Sequence, residues 1–175
     1  MSLIVILIVI VAVVGALAHS NLTRSTRGDE WAGPAFASKQ LLFSEREFRS
    51  ERHGLVAKVD RGYLNDDVVE LLELKTRGFH RVYRSDIIEL SVQKLAIEDV
   101  AKRTVSETGF VLTESIRDRT RKLHTVNLLG EREILALRDR RLAILDGHTE
   151  PRSSAAKGLC GDCAYLQECD KRRTA

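Results

Sequence analysis

The sequence predicts an α/β fold preceded by one membrane-spanning helix, and three observations support this. Apolar, partly β-branched runs separated by turn formers along residues 54–77 are typical of strands. Apolar residues recur at helical spacing along residues 85–101 and 131–145. An uncharged apolar run fills residues 3–18. With 175 residues and a net charge of +3, the chain suits one domain plus an anchor and lacks the excess charge of a polycation.

Residues 1–19 are predicted to be a single-pass membrane anchor. As a helix, residues 3–18 span about 24 Å at ~1.5 Å per residue, close to a thin hydrocarbon core of ~27–30 Å. A cleaved signal peptide is the alternative, because residues 16–18 (ALA) resemble a cleavage site. No basic residue precedes the run, whereas Arg24 and Arg27 follow it. The positive-inside rule therefore places the rest of the chain in the cytoplasm.

Residues 20–38 are predicted to be a tether, since they are rich in Ser, Thr, Gly and Ala. Residues 39–49 predict a strand that begins with an apolar cluster. Residues 55–59 and 68–76 predict two more strands, joined as a hairpin. The residues between these two strands include the turn formers Gly62, Asn65, Asp66 and Asp67.

The second half of the chain predicts a helix, a hairpin and another helix. Ser85 or Asp86 is the expected cap of the first helix, with Glu89 in capping-box position, and this helix is expected to end near Val105. Residues 109–115 and 121–129 then predict a second hairpin. Residues 131–145 predict an amphipathic helix with an arginine-rich face, which is either solvated or follows a phosphate backbone. Its expected inward side chains are Ile134, Leu135, Leu137, Leu142 and Ile144.

The first hairpin carries a candidate site. A period of two places Glu73 and Lys75 on one face of their strand, and pairing across the hairpin brings Asp60 beside them. Two carboxylates suit Mg²⁺ or Mn²⁺, and a lysine can orient a water and offset charge at phosphorus. These residues therefore predict phosphodiester hydrolysis. An exposed ion pair on an edge strand is the alternative explanation for Glu73 and Lys75.

The segments GLVAKVD and ELLELKT resemble the PD-(D/E)XK nuclease superfamily, in particular its RecB-like branch of CRISPR-associated exonucleases of the Cas-four type. This resemblance covers roughly residues 41–169. It implies a restriction-endonuclease-like mixed sheet flanked by helices over residues 39–147. It also implies that Asp60 and Glu73 hold the ion, that the backbone carbonyl of Leu74 adds a ligand, and that Lys75 positions the attacking water.

The helix that follows the Glu-x-Lys strand departs from the pattern of the resembling nucleases. In those proteins it carries a Gln and, four residues later, a Tyr, both turned toward the active site. Glu89 and Gln93 occupy these positions here, so the spacing persists although the identities differ. Residues at i and i+4 share a helix face. We expect Glu89 and Gln93 to face the site, although Glu89 can also serve as the capping partner.

Residues 148–175 contain the only three cysteines, Cys160, Cys163 and Cys169. An odd, clustered set is more typical of metal ligation than of disulfides. The spacing is similar to the iron-sulfur segment of the RecB-like nucleases, which take a fourth cysteine from elsewhere in the chain. His148 is the nearest other ligand and makes zinc an alternative. Three thiols without metal are the third possibility.

Together these features predict a membrane-tethered, divalent-metal-dependent DNA nuclease of RecB-like exonuclease type. DNA is the expected substrate, and the membrane is the expected partner of the N-terminal helix. The alternative is a catalytically silent protein of the same fold that binds nucleic acid or a protein partner at the membrane.

Overall fold

The computed structural model of the protein describes residues 32–151, which contain one five-stranded sheet and two helices. This confirms the predicted α/β class and mixed sheet. No helix within residues 32–151 is long and apolar enough to cross a membrane, and the predicted anchor lies outside this range. In chain order the elements are β1 (Gln40–Ser50), β2 (Leu55–Asn65), β3 (Val68–Arg77), α1 (Arg84–Val100), β4 (Thr108–Ser115), β5 (Arg121–Asn127) and α2 (Glu131–Leu145).

The sheet has the strand order β1-β2-β3-β4-β5, with β1 and β5 at its edges. β1 pairs with β2, β2 with β3, and β4 with β5, all antiparallel. β3 and β4 are parallel. Two parallel strands need a crossover connection, and α1 provides it. The two predicted hairpins are therefore present, and a helical crossover joins them.

Each face of the sheet carries its own apolar core, because successive side chains of a strand point to opposite faces. Along β3, Leu71 belongs to the core that includes α1 residues, and Leu72 belongs to the other core with Phe36 and Tyr63. The same alternation places the next odd-numbered residues of β3 on the α1 face. Those residues are Glu73, Lys75 and Arg77.

The first hairpin is longer than predicted. β2 does not end before Gly62 but continues to Asn65, and the chain reverses at Asp66, whose backbone has φ 54°. Asp tolerates this left-handed conformation better than most residues. Gly62 instead lies within the strand, where a Cβ atom would be 2.8 Å from Cδ2 of Phe43. Close packing, rather than a turn, therefore explains this glycine.

The predicted capping of α1 was wrong. Tyr83 is the N-cap residue, and Asp86 lies in the first turn, where its Oδ2 accepts a hydrogen bond from the Tyr83 N–H at 2.8 Å. Asp86 is buried, and its carboxylate also accepts a hydrogen bond from Arg77. The helix also ends at Val100 rather than near Val105. Val105 instead forms a parallel bridge with Val69, which draws the chain back to the sheet.

The described residues form two compact units, divided after Ile134. α2 begins in the first unit, where Ile134 is buried as predicted. Leu142, predicted to face inward, is 45% exposed in the second unit. Arg140 and Arg141 are exposed, as expected for the arginine-rich face of an amphipathic helix.

Candidate active site

The candidate site lies where β2 and β3 separate, a feature called the fork from here on. The two strands pair from Asn65 and Val68 as far as Arg61 and Leu72. Beyond Arg61, β2 pairs with β1 alone. Asp60 is the first residue of β2 outside the ladder with β3, and its Oδ2 accepts a hydrogen bond from the backbone N–H of Leu74 at 2.9 Å. A carboxylate thus takes the place of a strand carbonyl at the fork.

Glu73 is buried at the fork on the α1 face of β3, with 3% of its surface exposed. Its Oε1 accepts a hydrogen bond from Lys75 Nζ at 2.7 Å, as their shared strand face leads one to expect. Its Oε2 accepts a hydrogen bond from Gln93 Nε2 at 2.8 Å. Both carboxylate oxygens are therefore held, one by the same strand and one by α1.

Gln93 links α1 to both strands of the fork. Besides contacting Glu73, its Nε2 donates to the backbone carbonyl of Lys58 at 3.0 Å. Its Oε1 is buried and has no hydrogen-bond partner within the described residues. Buried acceptors are rarely left unpaired, so this oxygen is suited to accept a hydrogen bond from a water or ligand in the fork. The helix position predicted to face the site does so in the structure.

Lys75 lies between two carboxylates. Its Nζ donates to Glu73 at 2.7 Å and to Oε2 of Glu89 at 2.8 Å. Desolvation by burial lowers the pKa of Lys75, but its hydrogen bonds to Glu73 and Glu89 outweigh this and raise the pKa above its ordinary value. The side chain is therefore a charged ammonium that donates hydrogen bonds at neutral pH. Glu89 pairs with this lysine and is not the capping partner of α1, because Asp86 has that role.

The carboxyl group of Glu73 is electrostatically strained. Its pKa is raised from 4.5 to about 7, mainly by desolvation and against the opposing hydrogen bonds from Lys75 and Gln93. The negative charges of Asp60 and Glu89 contribute to this rise. Asp60 is thus close enough for its charge to act on Glu73. A cation placed between these two carboxylates would relieve both the desolvation and the repulsion.

The donor set at the fork fits a hydrated hard cation and does not fit an all-protein metal cage. Within residues 32–151 no group of three or more His, Cys, Asp or Glu side chains is arranged to hold a metal ion. Mg²⁺ requires fewer protein ligands than such a cage provides, because it keeps several waters and binds through one or two carboxylates plus substrate phosphates. Asp60 and Glu73 supply two carboxylates, and the unpaired Oε1 of Gln93 can accept from a metal-bound water.

A cavity of about 230 Å³ opens beside Asp60. Its lining joins the fork to the edge strands and carries both signs of charge. The cavity does not include Glu73 or Lys75, whose side chains lie on the α1 face of β3. Asp60 can therefore be reached from the surface independently of the α1 face. The lining residues are Glu45, Asp60, Arg61, Leu74 and Arg121.

An ion pair that the sequence did not reveal fixes the start of α1 to β3. Arg77 contacts both carboxylate oxygens of Asp86, at 2.8 and 2.5 Å, and its guanidinium lies 4.6 Å from the ring centre of Tyr83. Desolvation raises the pKa of Asp86, but its bonds to Arg77 and Tyr83 outweigh it, so the pKa falls below its ordinary value. This clamp attaches the first turn of α1 to β3.

Of the predicted ligands of the cysteine segment, His148 alone lies within residues 32–151. His148 is exposed and lies in the second unit, where its backbone N–H donates to the carbonyl of Ala143. Cys160, Cys163 and Cys169 lie outside residues 32–151.

Comparison with known proteins gives matches only among solved structures. No protein-family model matches the chain, and no curated protein matches it. The chain is similar to a protein described as SSO0001, with 17% identity and a TM-score of 0.49 over 91% of this chain and 70% of that one. It is also similar to a protein from Eubacterium rectale named Putative exonuclease, with 14% identity and a TM-score of 0.46. That match covers 90% of this chain, which spans 59% of the other protein's length.

Proposed function

We propose that the protein is a divalent-metal-dependent deoxyribonuclease that hydrolyses phosphodiester bonds at the fork. The observation that carries this proposal is the set of groups around the carboxylate of Glu73. Lys75 and Gln93 bind its two oxygens, and the charge of Asp60 acts on it. The Oε1 of Gln93 is the unpaired amide oxygen of this set. Metal-assisted phosphodiester hydrolysis needs hard ligands, a positive charge near the phosphate and a group that orients water.

In this proposal Asp60 and Glu73 hold Mg²⁺ or Mn²⁺, and the backbone carbonyl of Leu74 is a further candidate ligand. When bound, the ion would polarise the phosphate and provide an activated water. Gln93 keeps Glu73 in place through its Nε2 and offers its free Oε1 to orient the attacking water.

The protonation state of Lys75 decides its role. A lysine with a raised pKa cannot take a proton from water at neutral pH. Lys75 therefore acts as a donor that orients the attacking water and offsets negative charge at phosphorus. Glu89 assists by holding the ammonium on its second side.

A second candidate function is a catalytically silent protein of the same fold that binds nucleic acid or a protein partner at the membrane. The observation that favours it is the full engagement of Glu73, whose two oxygens bind Lys75 and Gln93. In a silent protein these bonds would be permanent structural links. An ion would then have no access to the carboxylate.

The deciding experiment compares the full-length wild type with Lys75→Ala, purified in detergent because of the apolar N-terminal run. Both are incubated with single- and double-stranded DNA in Mg²⁺, Mn²⁺ or EDTA. We expect metal-dependent cleavage by the wild type and a loss of about 10² or more in the variant, as when one electrostatic stabiliser is removed. Lys102→Ala is the matched control, since this lysine is exposed and pairs with Asp99.

Circular dichroism tests whether both variants are folded. Undiminished cleavage by folded Lys75→Ala protein would refute the assigned role of Lys75. Absence of metal-dependent cleavage by the wild type would favour the silent protein.

Two further parts of the proposal concern the ends of the chain. We propose that residues 1–19 tether the protein to the membrane with residues 39–147 in the cytoplasm, so carbonate extraction should leave it in the pellet. Release by carbonate would refute the tether.

We also propose that Cys160, Cys163 and Cys169 bind an iron-sulfur cluster or, with His148, zinc. Protein prepared without oxygen that contained neither iron nor zinc would refute this site.

A further inference from the structure

A row of side chains leads from Lys75 to the edge of the sheet. Lys75 of β3 is in register with Thr113 of β4, and Thr113 is in register with Lys122 of β5. Directly paired residues of neighbouring strands share a sheet face. Strands lie about 4.8 Å apart, so the backbones of the two lysines are roughly 10 Å apart. The exposed edge strand therefore presents Lys122 on the same face as the fork residues.

Thr113, in the middle of this row, is fully buried and joins two histidines. Its Oγ1 lies 2.8 Å from Nδ1 of His80 and 3.1 Å from Nε2 of His124. The same hydroxyl donates to the backbone carbonyl of Lys122 at 3.1 Å. His80 comes from the loop between β3 and α1, and its other ring nitrogen contacts Oγ1 of Thr120 at 2.9 Å.

Both ring nitrogens of His80 are engaged within the protein. Nδ1 contacts Thr113 and Nε2 contacts Thr120, whose hydroxyl donates to Oδ1 of Asp118 at 2.8 Å. The network therefore connects the row to the turn between β4 and β5.

Lys122 is the exposed cation of this row. Among the described residues, Lys122 Nζ has no hydrogen-bond or ion-pair partner. The nearby carboxylate of Glu114 is occupied by Arg119 and Arg121. Desolvation and the charge of Lys122 lower the pKa of His124, which lies on the same strand. An exposed ammonium therefore lies on the row that begins at Lys75.

We propose that Lys122 binds a backbone phosphate of the nucleic-acid strand next to the phosphate that is cleaved. This inference rests on the proposed nuclease function, because the fork determines where the cleaved phosphate lies. An exposed lysine without a partner can form a direct contact with a phosphate oxygen. His80 uses both ring nitrogens within the protein, so it makes no direct contact with the phosphate.

The test measures binding to a fluorescent single-stranded oligonucleotide in EDTA, where cleavage does not interfere. The full-length wild type is compared with Lys122→Ala and His80→Gln across a series of salt concentrations. Removing one phosphate contact should weaken binding and reduce the slope of log K against log [salt] by about 0.7 for a single strand. We expect this slope change in Lys122→Ala and an unchanged slope in His80→Gln, because His80 makes no direct contact with the phosphate. Lys102→Ala should match the wild type.

The salt slope separates contact from folding, because a variant that loses only stability keeps the slope of its folded fraction. An unchanged slope and affinity in Lys122→Ala would overturn the proposed subsite even if the wild type cleaves DNA. Absence of DNA binding by the wild type would overturn it as well. A wild type that binds but does not cleave in Mg²⁺ would refute the nuclease function and the position of the subsite beside a cleaved phosphate. A reduced salt slope in Lys122→Ala would then still show a phosphate contact at Lys122.

Discussion

Replacing Glu73 by Gln should make the metal-free protein more stable while abolishing any metal-dependent activity. The pKa of Glu73 rises from 4.5 to about 7 mainly through desolvation. A rise of about 2.5 corresponds to a cost of about 3 kcal/mol for keeping the carboxylate ionised in the folded state. Gln has the same shape without the charge. Its amide has one oxygen, so it can replace one of the two carboxylate oxygens as acceptor, and the lost hydrogen bond from Gln93 lowers the stability by about 1 kcal/mol.

The expected gain is therefore roughly 2 kcal/mol at pH 8 and near zero at pH 5. The sign follows from the raised pKa: the folded protein keeps the Glu73 proton up to about pH 7, whereas the unfolded chain releases it near 4.5. Wild-type stability thus falls as pH rises between these values. In Glu73→Gln this part of the pH dependence disappears.

Urea unfolding in EDTA, followed by circular dichroism at pH 5 and pH 8, measures the free energy of unfolding of wild type and variant at each pH. Glu47→Gln is the matched control because Glu47 is exposed and, within residues 32–151, pairs with exposed Arg49. It should change the free energy of unfolding by less than about 0.5 kcal/mol at either pH. If Glu73→Gln were no more stable than the wild type at pH 8, or its gain did not change with pH, the desolvation argument would be refuted.

Two further predictions concern the scaffold around the fork, and urea unfolding measures both. Gly62→Ala should lose about 1–3 kcal/mol, because the new Cβ would be 2.8 Å from Cδ2 of Phe43 in the core. Gly78→Ala, which meets nothing within 4 Å, should change little, and equal losses would contradict the packing argument. Asp86→Ala should lose about 3 kcal/mol or more, since it leaves Arg77 without its carboxylate. A loss below about 1 kcal/mol would show that this clamp is dispensable.

Local pattern was sufficient to predict most of the fold's elements. Alternation with a period of two placed Glu73 and Lys75 on one face, and the structure joins them at 2.7 Å. Helical spacing placed Glu89 and Gln93 on one side of α1, and both contact the fork. These relations depend only on the geometry of a single strand or helix, which is the same wherever the element lies. Their chemical roles remain predictions.

Other features depend on contacts between residues that are distant in sequence. The fork forms because the β2–β3 ladder stops at Arg61, and no local pattern marks where a ladder stops. The turn at Asp66 and the cap at Tyr83 were missed because several neighbouring residues offered equally good local signals. Arg77 and Asp86 lie nine residues apart on different elements, and no local sequence pattern indicates that they form an ion pair.

The sequence by itself thus determined the elements, their faces and the candidate residues Asp60, Glu73 and Lys75. Only the tertiary structure decided that Gln93 connects both strands of the fork, and that Thr113 joins two histidines separated by more than forty positions. The physical reason is that propensity and periodicity act over a few residues, whereas the parallel pairing of β3 with β4 is fixed by the crossover through α1. That pairing alone places the row from Lys75 to Lys122 on the face of the fork.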